Sequence, residues 1–328
     1  MKKFVNGIDT VLTESLDGFA AAHADIVALG GGHKFVRRTA LKPGKVALLS
    51  GGGSGHEPLH AGYVGHGMLD AACPGQVFSS PTPDQMLEAM AEVDTGAGVL
   101  LIVKNYEGDV MNFDMASEMA SGPVARVLIN DDVAVEDSLY TTGRRGVAGT
   151  LVVEKIVGAA AEAGMGLDAL KALGDRVNAA TRSMGVALTS CSVPAAGKPM
   201  FEIGDCEMEF GVGIHGEPGR RRDTLRSARE IASEMCGAIA SDFDVKGREA
   251  LLFVNGFGAT PPMELYLMYN EARRAFAGHG VKVVRSLVGN YVTSLDMAGC
   301  SITLSLLDGE MLTHWDAPVH TAGLRWGM

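Results

Sequence analysis

Short apolar, β-rich runs that each break off in glycine or polar residues recur through the first half of this sequence. Residues 46–49 (VALL) run into SGGGSGHEP, residues 99–103 (VLLIV) into KNYEGD, and residues 124–129 (VARVLI) into NDD. Patterns of helical period lie between them, the signature of a mostly parallel α/β layer fold. In open parallel sheets ligands bind beyond the carboxyl ends of the strands, so these three breaks are the places to look for chemistry.

Thr82-Pro83-Asp84-Gln85 reads as a helix start, with Thr82 as N-cap, Pro83 at the first helical position and Gln85 closing a capping box. The QMLEAMAEV that follows is then a covering helix. An alanine-rich pattern predicts one long helix over about 150–173. Near Met184 the pattern restarts with a strand over 185–188, and the loop CSVPAAGKP then marks a break. We place the domain boundary there: residues 1–183 form a first α/β domain with the glycine-rich loop, and residues 184–328 form a second. Each is expected to be a mostly parallel or mixed sheet covered by helices. In the second, Met208, Phe210, Val212 and Ile214 alternate with Glu207, Glu209, Gly211, Gly213 and His215. That predicts a period-two strand with His215 at the end of its open face. A helix is expected over about 222–240, then strands near 251–254 and 281–284 with a helix between them.

Composition narrows the function. The chain has 28 Lys plus Arg against 39 Asp plus Glu, a formal charge of −11, which argues against a nucleic-acid binder that works through phosphate contacts. With 47% hydrophobic residues over 328 positions it can bury a large core. No apolar run approaches the roughly 18 residues of a membrane span, and the start of the chain lacks a signal-peptide core, so the protein is read as cytoplasmic. Five scattered cysteines without a C-x-x-C pair fit reduced thiols.

Gly51-Gly52-Gly53-Ser54-Gly55 after the first run suggests positive φ or a backbone that a ligand must touch, against the alternative of a tight strand-to-helix turn. It lacks the G-K-[ST] of a Walker A loop, and His56 stands where a serine-hydrolase elbow has glycine. His56-Glu57-Pro58-Leu59-His60 fits H-E-x-x-H in letters, with His66 where a third zinc ligand would fall. Pro58 argues against zinc, because a helix would have to begin at about Glu57 or Pro58 and leave His56 outside it. His56 can instead hydrogen-bond a ligand lying on the glycine turn. Lys104 and Asp109, within one loop at a strand end, read as a charge stabiliser and a base, or as a surface ion pair. Asn130, Asp131 and Asp132 have the oxygen ligands for Mg²⁺, but an N-cap or solvated loop suits them better. Arg144 and Arg145 form a basic island suited to a phosphate or to a docking partner.

GGGSGHEP, GQVFSSPTPDQ, KNYEGDVMNF, NDDVAVEDS, GRRGVAGT, GIHGEPG, VNGFGATPPMELY and NYVTSLDMAG occur in this order. Together they resemble the dihydroxyacetone kinase family, specifically its ketose-binding subunit, over nearly the full length. The resemblance implies two α/β domains, a homodimer, and phosphorylation of a small ketone triose. It assigns His215 as the histidine that adds to the ketone as a hemiaminal, Asp109 as the base, and His56 as its partner at the substrate hydroxyl. Gly53, Ser80 and Lys104 match substrate-contacting positions. Glu107 departs from the smaller polar residue expected there.

These residue types make chemical sense. A triose of about six heavy atoms can gain at most on the order of 9 kcal/mol of noncovalent binding, and a covalent bond to its carbonyl supplements that while rejecting glycerol. No Walker A loop or protein-kinase signature is present. The resemblance therefore implies no nucleotide or metal on this chain, and ATP or ADP with Mg²⁺ on a separate nucleotide-binding kinase subunit. Two other readings stand beside it: a noncatalytic ketose sensor built on His215, and a zinc peptidase resting on HEPLH. Whether dihydroxyacetone or a four-carbon ketose such as erythrulose is preferred stays open at this level, as does the phosphoryl source.

Overall fold

The computed structural model describes residues 2–134, 143–217 and 219–328. The end of the NDDVAVEDS block (residues 135–138) and Pro218 of GIHGEPG lie outside the described residues. The chain divides into two compact units: residues 1–129, 150–176 and 313–328, and residues 130–149 and 177–312.

In the first unit α1 (Val11–Ala22), β1 (Val27–Gly30) and β2 (Phe35–Arg38) lead to β3 (Ala47–Ser54). There follow β4 (Gly65–His66), β5 (Ala71–Val77), α2 (Pro83–Val93), β6 (Val99–Lys104), α3 (Glu107–Met119) and β7 (Val124–Ile129), then α4 (Gly149–Glu162) and α5 (Leu167–Ala179). One sheet runs β1-β2-β5-β3-β6-β7, with β5, β3, β6 and β7 mutually parallel and β1 and β2 antiparallel. β3, β6 and β7 are the apolar runs of the sequence, β5 was not anticipated, and β3 and β6 are buried along their whole length, as strands covered on both faces must be. Leu49, Leu101, Phe35 and Cys73 pack with Met86 and Met90 of α2 and Phe113 of α3 in one core cluster. Each such large side chain contributes about 1.5–3 kcal/mol by leaving water. The capping box at Thr82 and Gln85 forms as expected.

The expected long helix over 150–173 is two helices. Gly164 takes φ +90°, a left-handed conformation that ends α4, and α5 begins again at Leu167. Along α4 every residue up to Ala161 is buried, Thr150, Glu154 and Lys155 included. A helix buried all round with charges in it must find partners for them.

The second unit contains β8 (Thr181–Ala187), β9 (Glu207–Phe210), β10 (Arg221–Thr224), α6 (Ala228–Ser241), β11 (Glu249–Gly256), α7 (Pro262–Gly278), β12 (Lys282–Gly289), β13 (Gly299–Leu306) and the start of α8 (Gly309–Asp316). Its sheet, β10-β9-β8-β13-β11-β12, is mixed, with only β11 and β12 parallel among the described pairs. The strand expected to reach Ile214 stops at Phe210, because Gly211 turns at φ +79°. The helix expected from 222 starts at Ala228, after Arg221–Thr224 pair with β9. β14 (Val319–Thr321) and β15 (Arg325–Trp326) return to the first unit, where β14 pairs with β4. A single cut at 183/184 therefore does not describe these units. Residues 181–183 belong to β8, which pairs with β13, and the chain's last segment pairs with β4.

Candidate active site

The glycines of β3 are there for space rather than for turning. Gly51, Gly52 and Gly53 are strand residues, and of the five-residue run only Gly55, at φ +105°, is left-handed. A Cβ on Gly52 would stand 2.3 Å from Lys104 Nζ, and one on Gly53 2.6 Å from the Ser79 nitrogen. The bare backbone lets Lys104 and residues 78–79 close over the end of β3.

Lys104 is the last residue of β6 and is fully buried. Its Nζ lies 3.3 Å from the Gly51 carbonyl, 3.1 Å from His60 Nε2 and 3.3 Å from Asp109 Oδ2. Asp109, also buried, is the third residue of α3, where the helix dipole favours a carboxylate. Among the described residues its Oδ1 has no hydrogen-bond partner. Lys104 and Asp109 therefore form a buried pair and not the surface ion pair weighed from the sequence. Ser80 Oγ lies over the same helix end, 2.8 Å from where a Gly108 Cβ would be. Glu107 is exposed beside it.

His56 is buried and stacks on Phe78, with ring centroids 5.0 Å apart and planes 18° from parallel. Glu57 folds back, its carboxylate accepting from the Gly55 N–H at 3.0 Å. Residues 56–60 form turns, and neither helix start considered for them exists; a single 3₁₀ turn begins only at Ala61. The two histidines of HEPLH serve different partners. Among the described residues no group of three or more His, Cys, Asp or Glu is placed to hold a metal ion.

His60, considered from sequence only as a zinc ligand, is central to the buried cluster. Its Nδ1 lies 2.7 Å from Glu154 Oε1 and 3.0 Å from Ser50 Oγ, and Ser50 donates to the Ile102 carbonyl at 2.7 Å. Burial, with Lys104 and His56 nearby, holds the His60 imidazole well below its ordinary value. Burial pushes Glu154 well above the usual carboxylate range, against the opposing pull of Lys104 and Ser50. Sequence reasoning missed Glu154 and Ser50. The available signal was a charged pair, Glu154-Lys155, inside an otherwise apolar helix.

A cavity of about 410 Å³ is lined by α1 (Leu12, Leu16, Phe19), by Gly52 and Gly53 of β3, and by the turn at Leu59 and His60. Its wall is mostly apolar and contains none of Lys104, Asp109 and His56, so we do not place the reacting hydroxyl there.

In the second unit His215 sits in the loop after β9, two residues from a carboxylate that sequence reasoning overlooked. Glu217 Oε2 accepts the His215 backbone N–H at 2.9 Å, and Oε1 faces Nδ1 at 3.2 Å. Burial pushes the Glu217 carboxyl up, but His215 and Arg145 outweigh it and bring it down to about 2. In a neutral imidazole, an ionised Glu217 beside Nδ1 favours the tautomer that carries its proton there. Arg145 is buried, donating to Asp132 at 2.9 Å and to the Gly211 carbonyl at 2.7 Å. Arg144 binds Asp242 in bidentate fashion, at 2.7 and 2.5 Å. The basic island is thus committed to carboxylates. Asp131 accepts from the N–H groups of Val147 (2.8 Å) and Gly149 (2.7 Å) at the start of α4.

Residues 17–323 match the Dak1 domain. The chain is 52% identical over 314 residues to the dihydroxyacetone-binding subunit DhaK of PTS-dependent dihydroxyacetone kinase 1 from Listeria innocua, covering 94% of this chain and 95% of that one. The fold is similar to the dihydroxyacetone kinase operon co-activator Dha-DhaQ, with a TM-score of 0.89 at 33% identity over 94% of this chain and 96% of that one. It is equally similar, with a TM-score of 0.89 at 33% identity, to the dihydroxyacetone kinase from C. freundii in complex with AMP-PNP and Mg²⁺, covering 99% of this chain and 61% of that one.

Proposed function

Since this chain belongs to the Dak1 family, we propose that it is the ketose-binding subunit of a dihydroxyacetone kinase, to which a separate subunit brings the nucleotide and Mg²⁺. The observation that carries a catalytic reading is Asp109: a buried carboxylate at a helix start, beside Lys104, with one oxygen unpartnered. Such an oxygen can take the proton of the substrate's terminal hydroxyl as the phosphoryl group arrives. His56 is its partner at that hydroxyl, and Gly53, Ser80 and Lys104 contact the substrate.

His215 holds the ketose. Nε2 adds to the carbonyl carbon, the π pair moves to the oxygen, and that oxygen gains a proton as Nδ1 gives its own up to solvent by way of Glu217, which leaves a neutral hemiaminal. The 2.9 and 3.2 Å contacts of Glu217 support this reading, because they hold the loop and orient the ring. The protein works as a cytoplasmic homodimer in this proposal, consistent with five free cysteines.

A ketose sensor is the second reading, favoured by the likeness to the operon co-activator. Intact mass spectrometry under native conditions with dihydroxyacetone, on wild type and His215→Ala, tests the covalent site: one added triose is expected on wild type alone. Adding the nucleotide subunit and ATP or a phosphorylated relay protein then separates kinase from sensor, since a sensor forms the adduct and no phosphorylated triose. Calorimetric binding with no adduct on wild type overturns the covalent mechanism. Competition with erythrulose in the same assay reads the substrate preference.

A further inference from the structure

A histidine that works through a ring nitrogen needs its ring plane held, and its own rotamer does not hold it. The last torsion of an imidazole side chain is broad and roughly two-fold, so a ring left to itself swings its nitrogens off any one direction. Packing has to supply the constraint. At His56 it comes from Phe78, whose ring stacks on the imidazole with centroids 5.0 Å apart and planes 18° from parallel. A phenyl face fixes the plane without taking a hydrogen bond from either nitrogen.

The backbone that brings Phe78 there is strained. Phe78 takes φ +57°, in the left-handed region that bulky side chains avoid. Close packing imposes this conformation. The Phe78 N–H donates to the Ser54 carbonyl at 2.9 Å, and the Ser79 N–H donates to the Gln76 carbonyl at 2.9 Å. A Cβ on Gly53 would lie 2.7 Å from the Phe78 Cα, and one on Gly75 would lie 2.0 Å from the Ser79 carbonyl oxygen. Two strands, β3 and β5, thus go without side chains at the points where residues 78 and 79 lie against them. Strain of this kind persists only where the surroundings over-determine it, and it gathers at functional sites. Here the strained residue delivers its ring to His56, and the same turn runs on into Ser80, whose Oγ lies over the first turn of α3.

We propose that Phe78 is a positioning residue for phosphoryl transfer: its ring holds the plane of His56, so that the nitrogen serving the substrate hydroxyl keeps its direction while the proton passes to Asp109. This rests on the reading of His56 as the partner of Asp109 at that hydroxyl. A hydrogen bond weakens steeply once its donor angle falls below about 120°, so an imidazole that turns by a few tens of degrees loses its grip on the reacting oxygen. Misplacement on that scale lowers turnover far more than it lowers ketose binding, which has other contacts.

A double-mutant cycle on the complete enzyme, with ketose, nucleotide subunit and phosphoryl donor, tests this. Phe78→Leu keeps an apolar side chain and removes the flat face. Its kcat is expected to fall about 10- to 30-fold with KM for the ketose changed less than about threefold, while Phe78→Tyr stays within about threefold of wild type. In a His56→Ala background the same Phe78→Leu change is expected to cost less than about twofold, because the ring has nothing left to hold. An equal loss in both backgrounds means that Phe78 acts through the loop, and overturns the proposal, as does wild-type turnover in Phe78→Leu. Because the leucine variant can fail to fold, ¹H–¹³C spectra of histidine-labelled wild type provide a second reading, with His56 assigned by its loss in His56→Ala. A His56 ring proton is expected upfield of an unstacked histidine, shifted by the Phe78 ring current, and its absence also overturns the proposal. Full activity in His56→Ala instead removes the underlying reading of His56, whatever the spectra show of the stack.

Discussion

Strand β3 has a buried charged cluster at each end, and the two are completed differently. At its start Asp70 accepts from Arg38 at 3.1 Å, from Lys45 and from the Leu48 N–H at 2.8 Å, while Glu162 accepts from Arg38 at 2.5 Å. Both oxygens of Asp70 are engaged. At the other end, Asp109 Oδ1 and Glu154 Oε2 are buried without hydrogen-bond partners among the described residues. Both ends carry the cost of desolvating charge, but only the first recovers it in a closed set of hydrogen bonds. The open set lies at the carboxyl end of the parallel strands, where such sheets place their ligands. A cluster with every bond made can hold the fold and do little else, whereas one with unfilled acceptors can still take a proton.

The strongest way to break that comparison is to neutralise one carboxylate from each cluster. Asp70→Asn leaves Arg38 and Lys45 with a buried amide and is expected to cost about 3–5 kcal/mol of stability in urea unfolding, with kcat per folded molecule unchanged. Asp109→Asn is expected to lower kcat about 10²- to 10⁴-fold and to cost less stability than Asp70→Asn. Lys104 keeps Gly51 and His60, and Asp109 Oδ1 had no bond to lose. Unfolding and turnover measured on both proteins decide the matter, and equal stability losses would erase the distinction.

Glycines sharpen it at the next level of effect. Gly44, just before β3, has φ +71° and open space around a Cβ, while Gly52 has ordinary strand φ and Lys104 Nζ 2.3 Å from a Cβ. Gly44→Ala is expected to cost about 1–2 kcal/mol by left-handed strain alone, with activity intact. Gly52→Ala pushes the end of the Lys104 side chain aside. Its expected signature is a fall in kcat of about 10- to 100-fold, with a stability loss of about 1–3 kcal/mol. Similar kinetics in the two variants would mean that Lys104's position is unimportant.

Much of this was legible in the sequence where a single physical rule governs a residue. The runs at 46–49, 99–103 and 124–129 became β3, β6 and β7, because continuous apolar stretches suit strands covered on both faces. Pro58 argued against an uninterrupted helix through HEPLH, and residues 57–60 form turns. His60 and Glu154 were hidden, because they are 94 positions apart and only the packing of α4 brings them together. Glu217 was hidden by its neighbour: in GIHGEPG the histidine drew attention, and the carboxylate that orients it does so through a turn that periodicity cannot reveal. The β9 strand and the long α4 helix were overrun for one shared reason, since Gly211 and Gly164 take left-handed φ within otherwise continuous patterns.

The least costly separation of the two ends is their response to pH, because here the signs oppose. Burial pushes Glu162 up, but Arg38 and Lys45 outweigh it, and its carboxyl lies below the ordinary value of 4.5. A depressed carboxyl contributes stability above the unfolded pKa and loses it as pH falls through the folded one. Glu154 is raised well above 4.5, mainly by burial. As pH climbs from about 4.5 towards the folded pKa, the unfolded chain releases that proton while the folded protein keeps it, so Glu154 makes stability fall. Urea unfolding from pH 4 to 8 should therefore show Glu162→Gln losing ground to wild type as pH rises, and Glu154→Gln gaining on it. The glutamine at the open end should thus recover stability relative to wild type towards neutrality, where the one at the closed end does not. Two variants drifting in the same direction would show that the ends of β3 differ in geometry alone.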